Sequence, residues 1–485
     1  MDKYAALDRF FHSDRFRPGQ EPLIDSVLAG RDVLGVLPTG GGKSLCYQLP
    51  ATLLPGVTLV ISPLIALMHD QVMGLVRAGV PAAYLNRSLT PAQLSEALRR
   101  LGAGRYRLVY VAPERLALPG FRALCAELPI PFVAVDEAHC ISQWGQDFRP
   151  DYMRIAGFLE SLPRRPVVGA FTATATERVR RDIAKNLGLR DPYTYTAGFD
   201  RPNLYFAVRS VRDRDAVLLN ELERERGRAG IVYCATRRGT EAVYELLRSN
   251  GFAAAIYHAG LTAEARRENQ ADFLAGRRLV MVATNAFGMG IDKPDVRFVI
   301  HYNMPRSLEA YYQEAGRAGR DGKPARCLLL YNADDVSLQE YLIARTEPNP
   351  DMTDAERLEA RRRDNERLRR MTSYAMGGSC LRNTILRYFG ERPTAPCGRC
   401  SVCAAAARLR ESARRRQGGL FKPPVRAAAI DPAAWRPGAS VRHKTLGTGV
   451  IRSMAADRVT VRFPDGRERT FLFPDSAERG FLTII

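Results

Sequence analysis

A chain of 485 residues exceeds what one hydrophobic core serves and predicts about three domains. No apolar stretch approaches the roughly 18 residues that span a bilayer, and Met1-Asp2-Lys3 opens no signal-peptide core, so the expectation is an intracellular, cytoplasmic protein with its nine cysteines reduced. A formal net charge of +20 points to a polyanionic partner, although biased base composition alone also enriches arginine beside alanine, glycine and proline.

Residues 1–200 alternate short β-branched runs with amphipathic stretches such as Gln93–Leu101. Strands are expected at Val33–Leu37, Val57–Ser62, Leu108–Val111, Phe132–Val135 and Val167–Thr172. The first leads into Leu37-Pro38-Thr39-Gly40-Gly41-Gly42-Lys43-Ser44 and then a helix-like stretch. Three glycines let backbone N–H groups close around a phosphate chain, Lys43 reaches the β/γ oxygens, and the Ser44 hydroxyl holds Mg²⁺. The general pattern asks for glycine where Leu37 stands. The fourth strand ends in Asp136-Glu137-Ala138-His139, which offers one carboxylate to the metal and another to the attacking water. Loop and acid pair together predict a nucleoside triphosphate hydrolase.

Residues 201–340 repeat the theme at Ile231–Cys234, Ala254–Tyr257, Leu279–Ala283, Phe298–His301 and Cys327–Tyr331. Continuous apolar strands separated by helices predict parallel sheets covered on both faces, hence an α/β protein with two tandem parallel-sheet lobes. Ligands of such sheets bind beyond the carboxyl ends of the strands, where these motifs fall. Arg317 and Arg320, three apart, are expected on one helical face directed into the cleft between lobes.

Residues 341–407 read as helical, with a solvated charged run from Glu356 to Arg370. Five cysteines (Cys46, Cys125, Cys140, Cys234, Cys327) sit in or beside apolar runs and read as small core hydrophobes. Cys380, Cys397, Cys400 and Cys403 lie within 24 residues and suit a closed tetrahedral Zn²⁺ site with no open position, hence structural; a redox pair is the alternative for C-x-x-C. Residues 408–437, rich in Arg, Ala and Pro, read as a basic linker. Residues 438–485 alternate apolar and polar positions through Ser440–His443, Val450–Arg452, Val459–Phe463 and Arg469–Phe473, with turns at Gly447–Gly449 and Pro464–Gly466, and predict a small antiparallel barrel.

Taken in order, the motifs over about residues 7–403 resemble the RecQ family of superfamily 2 DNA helicases. Phe16-Arg17-Pro18-Gly19-Gln20 is similar to the family's adenine-reading segment, with Gln20 on the base edge and Arg17 nearby. Ser62-Pro63-Leu64, Asp70-Gln71 and Ala112–Arg115 resemble its single-strand contacts, and Thr172-Ala173-Thr174-Ala175 its coupling motif. Tyr257–Gly260, Ala283–Lys293 and Gln313–Arg320 follow in place, with Gly290 and Asp292 among the implied nucleotide contacts. The resemblance implies that both lobes are RecA-like, with Arg320 as the arginine finger and Arg317 as its phosphate-contacting neighbour. Cys140–Pro150 resembles the family's aromatic loop, which implies that Gln143, Trp144, Phe148 and Arg149 meet single-stranded DNA; Gln146 stands where the family usually has histidine. The Cys380 helix, Tyr388-Phe389-Gly390-Glu391 and the cysteine trio match its zinc-binding subdomain.

After the zinc module the resemblance stops, since residues 404–437 are too short for the family's winged helix. Ala439–His443 with Leu446–Ile451 resembles SH3-like or Tudor-like modules that end some superfamily 1 repair helicases, which bind protein or nucleic acid or simply pack. The implied function is an ATP-dependent 3′-to-5′ DNA helicase of repair and recombination. It uses ATP, Mg²⁺ and structural Zn²⁺, acts on single-stranded and tailed duplex DNA, and has a protein as the other candidate partner of its barrel. The alternative enzyme is an RNA helicase or nucleic-acid-stimulated translocase, tandem lobes serving both. A non-hydrolysing binding module is disfavoured by Lys43, Asp136, Glu137 and Arg320.

Overall fold

The computed structural model describes all residues except 39, 64, 144–147, 289–292, 347–351, 421–430 and 479–480. It divides into two compact units, Met1–Ala404 and Ala405–Ile485.

The first unit contains two parallel sheets. Strands β1 (Val33–Val36), β2 (Thr58–Ile61), β3 (Ala82–Leu85), β4 (Leu108–Val111), β5 (Phe132–Val135), β6 (Val167–Thr172) and β7 (Tyr193–Thr196) form a seven-stranded sheet in the order β3-β4-β2-β5-β6-β1-β7. Strands β1, β2, β4 and β5 are buried at every position, as their uninterrupted apolar runs require. The sequence reading missed β3 and β7. Both lie at the sheet's edges, and β7 alternates half-buried tyrosines with exposed threonines, so neither carries a long apolar run. Leu37 is buried and continues β1, its N–H donating to the Thr172 carbonyl at 3.0 Å, which accounts for an apolar residue where the phosphate-loop pattern has glycine.

The second sheet comprises β8 (Leu204–Ser210), β9 (Gly230–Tyr233), β10 (Ala254–Tyr257), β11 (Val280–Ala283), β12 (Phe298–His301) and β13 (Ala325–Tyr331) in the order β10-β11-β9-β12-β13-β8. Read from β10, this is the order of the first sheet from β3, with β8 in the place of β1. β8, which breaks its apolar run with Arg209, was also missed from sequence.

Helices Asp334–Ala344, Asp354–Met376 and Leu381–Tyr388 follow. The long helix starts at a capping box made by Thr353 and Glu356. Its charged run is solvated on one side only: Leu368, Met371 and Tyr374 are buried, and Arg367 donates to the Gln143 carbonyl of the first lobe at 3.4 Å. Phe389 stacks on Phe199, ring centroids 4.4 Å apart, which fastens this helical module to the segment joining the sheets.

The expected linker begins as helix, which runs over Ser401–Leu420. Ala404–Ala407 and the following arginines are strong helix formers, and no proline intervenes before Pro423. In the second unit β14 (Ser440–His443), β15 (Gly447–Ala455), β16 (Arg458–Arg462), β17 (Glu468–Leu472) and β18 (Leu482–Ile484) form an antiparallel sheet in the order β17-β16-β15-β14-β18. Trp435, Val441, Ile451, Val459, Val461, Phe463 and Leu482 make its core. Gly447–Gly449, expected as a turn, opens β15.

Candidate active site

Neighbouring strands β5, β6 and β1 deliver three motifs to one end of the first sheet. After β1 the chain turns through Gly40 at φ +83° and Gly42 at φ +77°, a left-handed backbone that favours glycine. Ser44 and the helix Leu45–Leu53 follow, and the Tyr47 hydroxyl lies 3.3 Å from Ser44 Oγ. Gln20 caps the loop from outside: its Nε2 donates to the Gly42 carbonyl at 3.0 Å and its Oε1 accepts from Arg17 N at 2.7 Å. The Arg17 guanidinium donates to the Gly40 carbonyl.

Lys43 Nζ lies 2.8 Å from Glu137 Oε1, both side chains nearly buried. Burial opposes the lysine charge, yet Glu137 and Asp136 together hold its pKa above the ordinary value. Burial pushes the Asp136 carboxyl up to about 6 against the pull of Lys43. Burial also works to raise Glu137, but Lys43, His139 and Arg317 hold it below the usual carboxylate range. Glu137 is thus the more acidic of the pair. Its backbone sits at φ +47°, strained for a non-glycine residue, as residues held for chemistry often are. Glu137 Oε2 is buried and has no hydrogen-bond partner among the described residues, His139 Nδ1 being 3.4 Å away. A water would satisfy that oxygen, and the loop, the serine hydroxyl and the acid pair fit a Mg²⁺-bound triphosphate.

From this cluster a polar chain leads to the second lobe. His139 Nδ1 lies 2.8 Å from Thr172 Oγ1, Thr172 Oγ1 donates to the Thr174 carbonyl at 3.2 Å, and Gln313 Nε2 donates to Thr174 Oγ1 at 3.4 Å. The expectation that Arg317 and Arg320 share a helical face is corrected: the helix Leu308–Ala315 ends before both, and they sit on the turn that follows. Gly316 and the left-handed Gly319 break the helix there. Arg317 is buried and donates to the Gly288 carbonyl. The Arg320 stem crosses the phosphate loop so closely that a Cβ on Gly40 would lie 3.2 Å from its Cγ. Lys43, Asp136, Glu137, His139, Arg317 and Arg320 are therefore brought together, while Thr39, Gly290 and Asp292 fall outside the described residues.

The aromatic segment is described at its ends only, Trp144–Asp147 lying outside. Arg149 Nη1 donates to the Pro63 carbonyl at 3.3 Å, placing it against the segment expected to meet single strands. Phe148 is half-buried beside it.

The sulfur atoms of Cys380, Cys397, Cys400 and Cys403 all lie within 4.8 Å of one another, Cys397 and Cys403 being 3.9 Å apart. A tetrahedral zinc with Zn–S near 2.3 Å requires sulfurs roughly 3.8 Å apart, so the donor set fits a structural zinc ion. Gly398 at φ +67° lets the loop fold back, and N–H groups of Cys397 and Arg399 donate to the sulfurs of Cys380 and Cys397, each at 3.3 Å. Such second-sphere donors stabilise thiolates. Sequence reasoning missed Arg201 and Arg382, which bond backbone carbonyls far away in the chain.

Nucleotide-holding loops on one wall of a cleft and arginines on the other, carried by two sheets of one plan, are the architecture of the two-lobed helicases. Three family models match: DEAD/DEAH box helicase over residues 17–183, helicase conserved C-terminal domain over 213–322, and RecQ zinc-binding over 333–404. The chain belongs to the RecQ helicase family. The ATP-dependent DNA helicase RecQ of Bacillus subtilis is 44% identical over 400 residues, covering 82% of this chain and 66% of its own length. That of Pasteurella multocida is 42% identical over 405 residues, 83% of this chain and 62% of its own. A protein of Acanthamoeba polyphaga mimivirus, provisionally named an ATP-dependent RNA helicase, is 38% identical over 404 residues, 82% of this chain and 71% of its own. The chain thus spans just under two thirds of the bacterial relatives' length. Among solved structures, the DEAD-box helicase Mss116 bound to single-stranded RNA shares the fold with a TM-score of 0.59 at 18% identity, over 74% of this chain and 81% of that one. ATP with Mg²⁺ and a structural zinc are the cofactors that these matches and the donor sets define.

Proposed function

We propose that this chain is a DNA-stimulated ATPase and helicase that moves 3′ to 5′ on single strands, separates tailed duplexes, and serves repair and recombination in the cytoplasm. The observation that carries the reading is the convergence on one loop of Lys43 and Glu137 from the first lobe and Arg317 and Arg320 from the second. Lys43 exchanges Glu137 for the β/γ-phosphate oxygens as nucleotide enters. Mg²⁺ held by Ser44 and Asp136 would neutralise charge on those oxygens. Glu137, ionised at neutral pH, orients the attacking water and accepts its proton, with His139 steadying the second carboxylate oxygen. Arg320 acts as the finger that stabilises charge on the transferring phosphoryl group, and Arg317 contacts phosphate beside it. Arg17 and Gln20 read the base.

The chain from His139 through Thr172 and Thr174 to Gln313 supports coupling between hydrolysis and lobe movement. Gln143, Trp144, Phe148 and Arg149 are proposed to hold the single strand, by stacking and by guanidinium contact. The zinc module braces the second lobe, and the C-terminal sheet takes the duplex arm or a protein partner. Domain limits at 1–200, 201–340, 341–407, 408–437 and 438–485 belong to the same proposal. The RNA-helicase reading draws on the name of the mimivirus relative, so RNA belongs in the test. Hydrolysis is measured with single-stranded DNA, duplex DNA and RNA, and unwinding with 3′- and 5′-tailed duplexes. Strong stimulation by single-stranded DNA and unwinding of 3′-tailed substrates alone is the expected result. Stimulation by RNA but not DNA, or equal unwinding of both tails, would overturn it.

A further inference from the structure

The segment that joins the lobes is bonded at nearly every residue. Arg201 spans the turn that carries the two cleft arginines: its Nη1 donates to the Gly316 carbonyl at 3.3 Å, and its Nη2 to those of Ala318 and Gly319 at 3.0 and 2.9 Å. These carbonyls flank Arg317 and lead into Arg320. They also extend the negative end of the helix Leu308–Ala315, where a cation is favoured. Asn203 grips the same turn through Gly319 and Lys323, at 2.8 and 2.9 Å. Gly319 has no room to be anything else, since a Cβ there would lie 2.5 Å from Asn203 Nδ2 and 2.7 Å from the Lys323 carbonyl, on a backbone at φ +58°.

Arg201 is itself held from the zinc module. Arg382, buried two residues after the ligand Cys380, donates to the Arg201 carbonyl at 2.7 Å, to the Leu204 carbonyl and to Asp200. Glu391 accepts from Phe199 N, and the Tyr312 hydroxyl donates to the Phe199 carbonyl at 2.8 Å. A continuous set of bonds, most of them part-buried, therefore runs from the zinc-bearing helix, through Arg382 and the backbone of residue 201, to the turn of Arg317 and Arg320.

We infer that Arg201 is a positioning residue for the arginine finger, and that Arg382 links this position to the zinc module. The inference rests on the proposed roles of Arg317 and Arg320. Among the described residues Arg201 bonds backbone carbonyls of the turn and no side chain, so it acts through the two arginines' backbone. Arg17, Gln20 and the phosphate loop, which hold the ground-state nucleotide from the first lobe, do not depend on it; stabilisation of the transition state does. A planar guanidinium reaches the three carbonyls from two separate nitrogens, whereas a lysine ammonium presents its donors from one atom and matches their spread less well.

The full chain is compared with Arg201→Gln, Arg201→Lys, Arg320→Ala and the double variant Arg201→Gln/Arg320→Ala at saturating single-stranded DNA. A displacement near 1 Å in a positioned group costs on the order of 100-fold, so kcat is expected to fall about 10- to 100-fold in Arg201→Gln and less in Arg201→Lys. KM for ATP, affinity for ADP, affinity for single-stranded DNA and Tm stay within about twofold or a few degrees. Affinity for ADP with aluminium fluoride, a mimic of the transferring phosphoryl group, falls by about the same factor as kcat. The double variant is barely slower than Arg320→Ala, because both changes remove one function. Parent-like kcat in Arg201→Gln overturns the inference. So does a parallel loss of ADP affinity, DNA affinity and Tm, or full additivity in the double variant. Should Arg320→Ala itself turn over at the parent rate, it is the finger assignment that falls; a slow Arg320→Ala beside a normal Arg201→Gln sinks only the positioning role.

Discussion

Replacing Glu137 by glutamine separates two roles that the structure gives one side chain. Its Oε1 holds Lys43 at 2.8 Å, and its Oε2 is the oxygen available to a water. Breaking a fully buried ion pair costs about 3–5 kcal/mol, and an exposed one at most about 1 kcal/mol. Lys43 and Glu137 are 15% and 12% exposed, and Asp136 stays beside the lysine after the change, so a cost of about 2 kcal/mol is reasonable for the nucleotide-free protein. Incoming phosphates restore the lysine's counter-charge. They no longer compete with Glu137, so that cost is returned on binding, and ATP affinity should be unchanged or up to about 30-fold tighter. Loss of the general base should lower single-turnover hydrolysis by roughly 100- to 10,000-fold. Equilibrium binding of a fluorescent ATP analogue and rapid-quench hydrolysis, both with single-stranded DNA present, read the two effects separately. Hydrolysis at the parent rate, or ATP bound clearly more weakly, would refute the reasoning.

The purified chain should carry about one zinc per molecule, and Cys400→Ser, at a fully buried sulfur, should lose most of it together with several kcal/mol of stability, set against binding energies on the order of 10–16 kcal/mol. Metal analysis that finds iron with visible absorbance, or no zinc, contradicts the site. Trp144→Ala should keep the low DNA-free ATPase and lose much of its stimulation by single strands, whereas Gln146→His should raise it; stimulation unchanged in the tryptophan variant removes the loop from the mechanism. A chain ending at Ala407 should retain DNA-stimulated ATPase, bind tailed duplexes less tightly, and show a shallower dependence of log affinity on log salt. Identical salt slopes would take the basic helix and the C-terminal sheet out of DNA handling.

Both sheets were legible because their central strands are unbroken apolar runs, which only a sheet covered on both faces buries. The edge strands β3 and β7, and β8 with its arginine, were not, since half-buried strands carry mixed residues. The phosphate loop and acid pair could be read because their chemistry fixes residue type and spacing together. The placement of Arg317 and Arg320 could not: spacing of three suggests a helix, and only the backbone of Gly316 and Gly319 shows a turn. Arg201 and Arg382 were invisible for another reason. Each bonds carbonyl oxygens more than a hundred residues away, and a carbonyl is the same in every residue.

The shared strand order of the two sheets has a consequence for how the proposed motor would be assembled. Both lobes follow one plan, but only the first keeps a phosphate loop after its opening strand; after β8 the chain reads Val211-Arg212-Asp213-Arg214, with no glycine to wrap an anion. The second lobe stands to the first as a neighbouring subunit stands to the next in ring-shaped ATPases, where the finger arrives from another polypeptide. With Arg320 as the proposed finger, donor and acceptor would here be fused in one chain. Turnover per chain should therefore hold constant as protein is diluted to nanomolar levels.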